Sequence, residues 1–429
     1  MRSVHALVLG AVFAAVFSPF ARAQPKETVV YSFGTNGGSA DGASPFGQVV
    51  FDAAGNMYGT TLAGGIPDAG VCPTGCGTIF ELSPTNTGGW TETIIHEFVA
   101  GFDGAGPRSA LIFDSQGNLY GTTSGSGVCV APNCGTVFEL SRSGNGQWNE
   151  TVLYSFTGTP DGEAPDASVV LDSQGNLYGT TNGGGPNKHG TVFELSPPSI
   201  PGGPWIETML YSFCPSGNLQ DCPDGAYPQS SVVLDKQGNL YGTTAYGPVA
   251  WGLAYELAKG QDGTWTESVL YKFSSHGGNP EAGLVFDNGG NLYGTLFSGG
   301  NESPTCAQEA FWPYSDVCGG VFKFTPTKRG WAGRTLLLTG ENGGNPTASL
   351  TLSGNAGYST SYFGGAGYGV VFEAMRSGAT ALYTFCPNGG GCPDGAYPFG
   401  GVVAHGGKLY GTASARGAFD QGVVFSITP

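Results

Sequence analysis

Asn176-Leu177-Tyr178-Gly179-Thr180-Thr181 is one copy of a short segment that recurs along this chain. Three further copies, at residues 56–61, 118–123 and 239–244, resemble it closely. Two more, at residues 291–296 and 408–413, resemble it more loosely. A seventh, reduced copy occupies residues 357–360. Seven copies at intervals of roughly 40–65 residues indicate a fold built from repeated units.

Each repeat contains four short runs rich in Val, Tyr, Phe and Thr, separated by glycine-rich turns. In one unit these runs occupy residues 168–171, 176–181, 190–195 and 207–213. Runs of this length and composition, bounded by turn signals, are typical of β-strands. Glycine makes up 76 of the 429 residues, which suits the many tight turns that this arrangement requires. Each unit is therefore predicted to be a four-stranded antiparallel meander.

The last unit lacks its fourth run, and a matching run stands alone near the N-terminus. Residues 27–33, Glu-Thr-Val-Val-Tyr-Ser-Phe, closely match residues 150–156. This permutation predicts a closed ring in which the N-terminal strand pairs with residues 423–427 and removes an exposed edge. We predict an all-β protein whose residues 24–429 form a single seven-bladed β-propeller. An open solenoid is the alternative, but it would not need the permuted strand.

Residues 1–23 have the pattern of a secretory signal peptide: Arg2, an apolar core, and a small-x-small cleavage site at residues 21–23. A membrane anchor is the alternative, although the apolar run is short for a span. Cleavage would change the net charge from −16 to −18, since it removes Arg2 and Arg22 but no acid. A chain with this much negative charge is not expected to bind nucleic acid or an anionic membrane, because both would repel it. We expect a secreted monomer without a transmembrane segment in the mature chain and without a C-terminal anchor.

The ten cysteines fall into five close pairs, and each pair lies within one predicted loop. An even number of cysteines in an exported chain indicates disulfides, and pairing within each loop is the simplest solution. Zinc is the competing interpretation, but no histidine lies near the pairs. The predicted disulfides are Cys72–Cys76, Cys129–Cys134, Cys214–Cys222, Cys306–Cys318 and Cys386–Cys392.

Two features recur at fixed places in the units. Small residues begin the first strand, as expected where seven blades converge on an axis. A tryptophan begins the outer strand in five units, either as a sugar-stacking platform or, as we favour, as a packing residue between blades. These tryptophans are Trp90, Trp148, Trp205, Trp265 and Trp331.

Three of the repeated segments, at residues 153–156, 175–181 and 190–195, resemble the GloVer tandem-repeat family of exported bacterial proteins. Members of this family are sometimes called choice-of-anchor proteins. The resemblance extends over residues 27–429 and rests on three segments that recur in a fixed order. It implies an exported repeat protein whose activity is unassigned. The family often carries a C-terminal sorting anchor, which this sequence does not show.

The sequence contains none of the common local catalytic motifs, but two acidic series recur in its loops. Asp52, Asp114, Asp172, Asp235 and Asp287 follow the first strand, where Asp typically caps a turn. The second series precedes the first strand, with Gly after each Asp and Pro four residues on. It has either the same turn role or forms an incomplete carboxylate ring at the channel mouth, suited to Ca²⁺. Its members are Asp41, Asp103, Asp161, Asp224 and Asp394.

The loops that enter the first strands and those between the second and third strands should emerge on one face. That face would carry the disulfides, the second acidic series and the longest loop, which contains Trp312 and Tyr314. Because variable loops on a regular scaffold are common binding sites, these aspartates and aromatics are the candidate binding residues. We expect a non-enzymatic scaffold that binds polysaccharide or a cell-envelope partner. The alternatives are a glycan lyase or hydrolase with carboxylates converging from several blades, and a purely structural surface protein.

Overall fold

The computed structural model shows a seven-bladed β-propeller, as the repeats predict. The predicted signal peptide and the residues Cys129, Cys306, Trp312 and Tyr314 lie outside the part of the chain that the structure describes. The described residues are 25–429 except 36, 68–69, 126–133, 201, 248–250, 275–276, 300–317, 339 and 377. No helix in these residues is long and apolar enough to cross a membrane.

Seven antiparallel sheets form the blades, which are numbered along the chain. The first blade contains β2 (Ala43–Pro45), β3 (Val50–Phe51), β4 (Met57–Ala63), β5 (Thr78–Pro84) and β6 (Trp90–Glu97). The second contains β7 (Ile112–Phe113), β8 (Leu119–Thr123), β9 (Thr136–Arg142) and β10 (Trp148–Ser155). The third contains β11 (Val170–Leu171), β12 (Leu177–Thr181), β13 (Thr191–Ser196) and β14 (Ile206–Ser212).

The fourth blade contains β15 (Val233–Leu234), β16 (Leu240–Thr244), β17 (Leu253–Lys259) and β18 (Trp265–Lys272). The fifth contains β19 (Val285–Phe286), β20 (Leu292–Leu296), β21 (Gly320–Thr327) and β22 (Gly330–Leu337). The sixth contains β23 (Thr351–Ser353), β24 (Ala356–Ser361), β25 (Val370–Met375) and β26 (Gly378–Thr384). The seventh contains β27 (Val403–His405), β28 (Lys408–Ala413), β29 (Val423–Thr428) and β1 (Lys26–Ser32). A 3-10 turn spans Leu219–Asp221.

The seventh blade combines the two ends of the chain. Strand β1 pairs antiparallel with β29, with Glu27 opposite Ile427 and Val29 opposite Phe425. Phe33 follows β1, and its ring is fully buried. The backbone groups along the outer side of β29 are thereby paired rather than left as an open edge.

The repeated motif is anchored to the four-residue turn that precedes it. One oxygen of the Asp172 carboxylate accepts the backbone N–H groups of Gln174 and Asn176 at 2.8 and 2.9 Å. The other oxygen accepts the Asn176 side-chain amide at 2.9 Å and the Tyr178 hydroxyl at 3.2 Å. The turn role predicted for the first acidic series is confirmed, since the same arrangement recurs at Asp52, Asp114, Asp235 and Asp287.

The last three motif residues join the strands and the blades. Gly179 lies beneath the Phe193 ring, whose tip would be 2.5 Å from an added Cβ. The Thr181 hydroxyl lies 2.8 Å from that of Thr191 on the third strand. The Thr180 hydroxyl donates to the Ser230 carbonyl of the next blade at 2.9 Å. In all seven blades a threonine hydroxyl of the second strand donates to a backbone carbonyl of the next blade. These threonines are Thr60, Thr122, Thr180, Thr243, Thr295, Thr360 and Thr412.

The innermost strands approach one another as closely as the small residues predict. A Cβ on Gly283 would lie 2.5 Å from the Ser231 hydroxyl of one neighbouring blade and 2.9 Å from the Ser349 hydroxyl of the other. The predicted taper is confirmed, because the blades approach so closely here that neighbouring positions carry only Gly or Ser.

The repeated tryptophans are packing residues between blades, as favoured above. Each indole whose ring contacts are resolved packs edge-on against a motif tyrosine of the preceding blade, with centroids about 6 Å apart. The pairs are Trp90–Tyr410, Trp148–Tyr58, Trp265–Tyr178 and Trp331–Tyr241.

Three of the predicted disulfides are present within single loops: Cys72–Cys76, Cys214–Cys222 and Cys386–Cys392. Cys134 and Cys318 are also disulfide-bonded. Their predicted partners, Cys129 and Cys306, lie outside the described residues, so these two pairings stay predictions.

Candidate functional site

Two sets of loops meet on one face of the propeller, which we call the loop face. The loop that enters each innermost strand hydrogen-bonds with the loop between the second and third strands of the same blade. Examples are the bridges between Glu163 and Gly183 and between Ala226 and Tyr246. The opposite face carries the four-residue turns and is called the turn face.

A left-handed residue fixes the start of each innermost strand. Tyr227, with φ 58°, donates its N–H to the His189 carbonyl of the preceding blade at 2.9 Å. Its own carbonyl accepts the N–H of Ala245 at 3.0 Å. The same position in every blade has positive φ and is followed by proline, which holds the next residue at the axis. These residues are Ser44, Gly106, Ala164, Tyr227, Asn279, Asn345 and Tyr397.

The residues that directly follow these prolines form what we call the axial ring, at the loop-face end of the central channel. Their types differ from blade to blade, unlike most of the repeat. The ring consists of Phe46, Arg108, Asp166, Gln229, Glu281, Thr347 and Phe399.

Four successive ring residues contact one another across blade boundaries. The ring centroids of Phe399 and Phe46 are 4.6 Å apart. The Arg108 guanidinium lies over Phe46, 5.6 Å from its centroid, and one Nη atom is 3.5 Å from the Asp166 carboxylate. Four blades thus contribute to one continuous arc of aromatic and charged side chains.

Polar atoms in this arc retain hydrogen-bonding capacity. The Asn182 amide donates to Asp166 at 3.2 Å. Arg108 Nε and Asn182 Oδ1 are buried, and the described residues offer neither of them a hydrogen-bond partner. A donor and an acceptor thus flank the Asp166 carboxylate, and since buried polar atoms are normally paired, each is expected to bind a water molecule or a polar ligand.

Two ring carboxyls have perturbed acidity. Burial raises the pKa of Glu281 to about 7. Burial also raises the pKa of Asp166, and the Arg108 charge and the hydrogen bonds from Asn182 and Arg108 only partly offset this. Both groups keep some contact with solvent, as expected for side chains enclosed by a channel wall. Carboxyls with perturbed pKa values are common at functional sites.

Aromatic side chains extend the site over the loop face. Tyr362 stacks on Tyr397 with centroids 5.1 Å apart, and Phe399 packs edge-on to Tyr362 at 6.1 Å. A second group lies near blade four, where Tyr227 contacts Tyr246 at 5.6 Å. Such rings supply flat apolar surfaces with polar edges, which suit sugar rings.

The second acidic series lies on the loop face, but its carboxylates are turned toward the outer strands. Asp161 accepts the Tyr154 hydroxyl at 2.7 Å, the Thr157 hydroxyl at 2.7 Å and the Thr157 N–H at 3.2 Å. Each of the other four is held in the same way by the aromatic residue at the end of the preceding fourth strand: Asp41 by Tyr31, Asp103 by His96, Asp224 by Tyr211 and Asp394 by Tyr383. These contacts fix the loop, and a ligand-binding role for the five aspartates stays a prediction.

Metal binding was one expectation for this series. Among the described residues, no three His, Cys, Asp or Glu side chains form a group that could hold a metal ion. The calcium prediction is therefore without a candidate centre in this part of the chain. Trp312 and Tyr314, the other candidate binding residues, lie outside it.

Sequence reasoning missed the axial ring because no residue type recurs there except phenylalanine, which occurs twice. One signal was available in the sequence: the residue after each proline differs in character from the residues that follow it. Arg108, Asp166 and Glu281 directly follow the prolines, where the next residues of the strand are small and uncharged. Charged side chains are unexpected where the blades of a propeller converge, and their presence here is explained by their position at the mouth of the channel.

The profile of the Gloeobacter/Verrucomicrobia repeat matches residues 10–248 and 72–307, which together span most of the chain. This protein belongs to the Gloeobacter/Verrucomicrobia repeat family. The resemblance inferred from the repeated segments is thereby confirmed. In this member of the family, the repeat residues build the blades, whereas the axial ring varies between repeats.

Several solved structures resemble this chain along most of its length at low sequence identity. A luciferin-regenerating enzyme is 12% identical, with 94% of this chain and 95% of that chain covered and a TM-score of 0.42. An ulvan lyase of polysaccharide lyase family PL25 is 8% identical, with 91% and 94% covered and a TM-score of 0.47. Similarity at this level carries no argument about activity. None of the curated proteins matches the chain.

Proposed function

We propose that this protein is an exported, monomeric scaffold that binds a polysaccharide or another cell-envelope glycan at the axial ring. The observation that carries this proposal is the arc from Phe399 through Phe46 and Arg108 to Asp166. It joins stacking surfaces with a guanidinium, a carboxylate and an amide within contact distance. Planar polar groups beside aromatic rings are suited to the hydroxyls and the apolar faces of sugars.

Other features support an extracellular setting and a ligand other than nucleic acid. Disulfides such as Cys214–Cys222 persist in oxidising compartments. The chain carries a net charge of −16, which opposes binding to phosphate backbones. The only cation of the axial ring, Arg108, is already 3.5 Å from an acid.

A glycan array probed with the purified protein, with and without calcium, tests this proposal. Arg108→Ala should weaken binding to the recognised glycan by about tenfold or more, because a charge-assisted hydrogen bond contributes roughly 1.5–3 kcal/mol. Lys236→Ala is the matched control, since Lys236 is an exposed cation in a turn-face loop. Equal binding by Arg108→Ala and the parent protein would overturn the assignment of the site.

A second candidate function is glycan cleavage, which the two ring carboxyls favour. Glycosidases use one protonated and one ionised carboxyl about 5–10 Å apart. Glu281, with its pKa near 7, would serve as the acid, and Asp166 is the other carboxyl that the ring offers. Chromatography of a bound glycan after prolonged incubation distinguishes the two functions. New products that disappear in both Glu281→Gln and Asp166→Asn would establish an enzyme. An unchanged glycan would instead support the scaffold function.

A further inference from the structure

Five glutamates occupy one repeated place on the outer strands, and we call them the carboxyl belt. Each is paired across the ladder with a buried Leu or Ile of the third strand. In each of them, Oε1 is buried and has no hydrogen-bond partner among the described residues. The members are Glu27, Glu92, Glu150, Glu207 and Glu267.

Each belt glutamate interacts electrostatically with the loop aspartate that precedes its blade. That aspartate is hydrogen-bonded to the aromatic residue ending the fourth strand of the preceding blade. The groups are Glu27 with Asp394 and Tyr383, Glu92 with Asp41 and Tyr31, Glu150 with Asp103 and His96, Glu207 with Asp161 and Tyr154, and Glu267 with Asp224, Tyr211, Tyr255 and Lys272.

The two remaining blades lack both carboxyls. Gly333 and Ala379 stand at the glutamate position, as the strand pairing shows. The aspartate position is occupied by His276, which lies outside the described residues, and by Asn342. The Asn342 amide instead donates to the Ala379 carbonyl at 3.0 Å. The Asp and the Glu therefore occur together in five blades and are both replaced in the other two, which indicates that they act as a unit.

We propose that the carboxyl belt is a pH-sensitive device that stabilises the closed ring in acidic surroundings and weakens it as the pH rises toward neutrality. A neutral carboxyl tolerates a buried, unpartnered oxygen far better than a carboxylate does, because burial penalises the charged form. This inference does not depend on the ligand proposed for the axial ring.

The acidity of the belt has the corresponding sign. Burial, with the nearby aspartate second, raises the pKa of all five glutamates from 4.5 to about 7. The folded ring therefore holds protons that the unfolded chain has released between about pH 4.5 and 7. Stability must then fall as the pH rises through that window, and this contribution stays constant on either side of it.

Other titrating groups do not reverse this expectation. The pKa values of Glu281, Glu139 and Asp166 are also raised and act in the same direction. The turn aspartates Asp52 and Asp287 have lowered pKa values, so their contribution is lost only below the pH window of the belt.

Thermal melting of the mature chain at pH 5 and pH 8 tests the device. For the parent we expect the Tm to be lower at pH 8 by roughly 5 °C. The variant Glu92→Gln, Glu150→Gln, Glu207→Gln, Glu267→Gln should lose most of this difference, because Gln resembles the protonated acid. The matched control removes four exposed acids: Asp221→Asn, Asp262→Asn, Glu341→Gln and Asp420→Asn. It should keep the difference while carrying the same net charge.

A fourfold Gln variant that retains the full pH dependence of the parent would overturn the proposal. Titration of the glutamate side-chain carboxyl ¹³C signals in the parent protein provides a test that needs no variant. We expect at least five glutamates to titrate near pH 7. If every glutamate carboxyl titrates near pH 4–5, the belt is ionised throughout the physiological range and the proposal is wrong.

Discussion

At the scale of single residues, the repeated motif is explained by the distinct contact that each position makes. Asn176 and Tyr178 bind the turn aspartate, Gly179 admits an aromatic ring, and Thr180 reaches the next blade. A motif in which every side chain has its own partner tolerates little change. This accounts for its recurrence in the blades.

Replacing Gly179 by Ala should destabilise the protein by about 1–3 kcal/mol, because the new methyl group would overlap the Phe193 ring in a packed interior. Chemical unfolding measures the loss. Gly144→Ala is the control, since a Cβ there meets nothing within 4 Å and should change stability by less than about 0.5 kcal/mol. Equal effects of the two substitutions would refute the packing argument.

Replacing Thr180 by Val should cost about 1–3 kcal/mol, because it leaves the buried Ser230 carbonyl without its donor while preserving the side-chain shape. The same substitution at Thr208, an exposed residue of an outer strand, should be close to neutral. Comparison of the two melting curves decides the matter. An unchanged Tm for Thr180→Val would show that the contacts between blades near the axis do not contribute to stability.

At the scale of elements, the loops that enter the innermost strands determine the geometry of the loop face. Every such loop is fixed by a left-handed residue that binds two blades, and five of the seven also by an aspartate that binds the preceding outer strand. In two of these loops a disulfide closes the segment before the aspartate. The residue after the proline is therefore held rigidly at the axis, which favours a preorganised site.

The two disulfides still to be mapped should also be local. We expect peptide mapping under non-reducing conditions to recover Cys129–Cys134 and Cys306–Cys318, because Cys134 and Cys318 are bonded and the other described cysteines already have partners. Alkylation of the unfolded, unreduced protein should label no cysteine. A Cys134–Cys318 linkage would contradict the rule that each pair belongs to one loop.

Strands and turns were predictable from the sequence because their residues recur. The glycine turns, the motif and the tryptophans each appear several times, so every copy supports the others. The innermost strands were harder to delimit, since only two or three residues of each, such as Val170–Leu171, complete ladder hydrogen bonds. The orientation of Asp161 could not be predicted, because the Tyr154 hydroxyl that holds it belongs to another blade.

At the scale of the whole molecule, the ring depends on contacts between residues that are hundreds of positions apart. Strand β1 pairs with β29, and Thr412 donates to the Gly47 carbonyl at 3.1 Å. The axial ring likewise exists only when all the blades are assembled. Its members are ordinary residues in the sequence, and only the closed arrangement brings Phe399 against Phe46.

Deleting β1 should destabilise the protein by several kcal/mol, because it exposes the edge of β29 and removes Phe33, whose burial alone is worth roughly 1.5–3 kcal/mol. The comparison is between mature chains that begin at residue 24 and at residue 34, each measured by thermal melting. The shorter chain should melt earlier and aggregate more readily. If both chains melt alike, β1 does not contribute to the stability of the ring.

Hydrogen exchange, measured with and without the glycan recognised on the array, shows whether the loop face around the axial ring binds the ligand. With the glycan bound, we expect slower exchange in the loops at residues 103–109, 161–168, 181–185 and 396–401. We expect unchanged exchange in the turns at residues 52–55, 114–117, 172–175 and 235–238. Protection confined to those turns, with the loops unaffected, would contradict binding at the loop face.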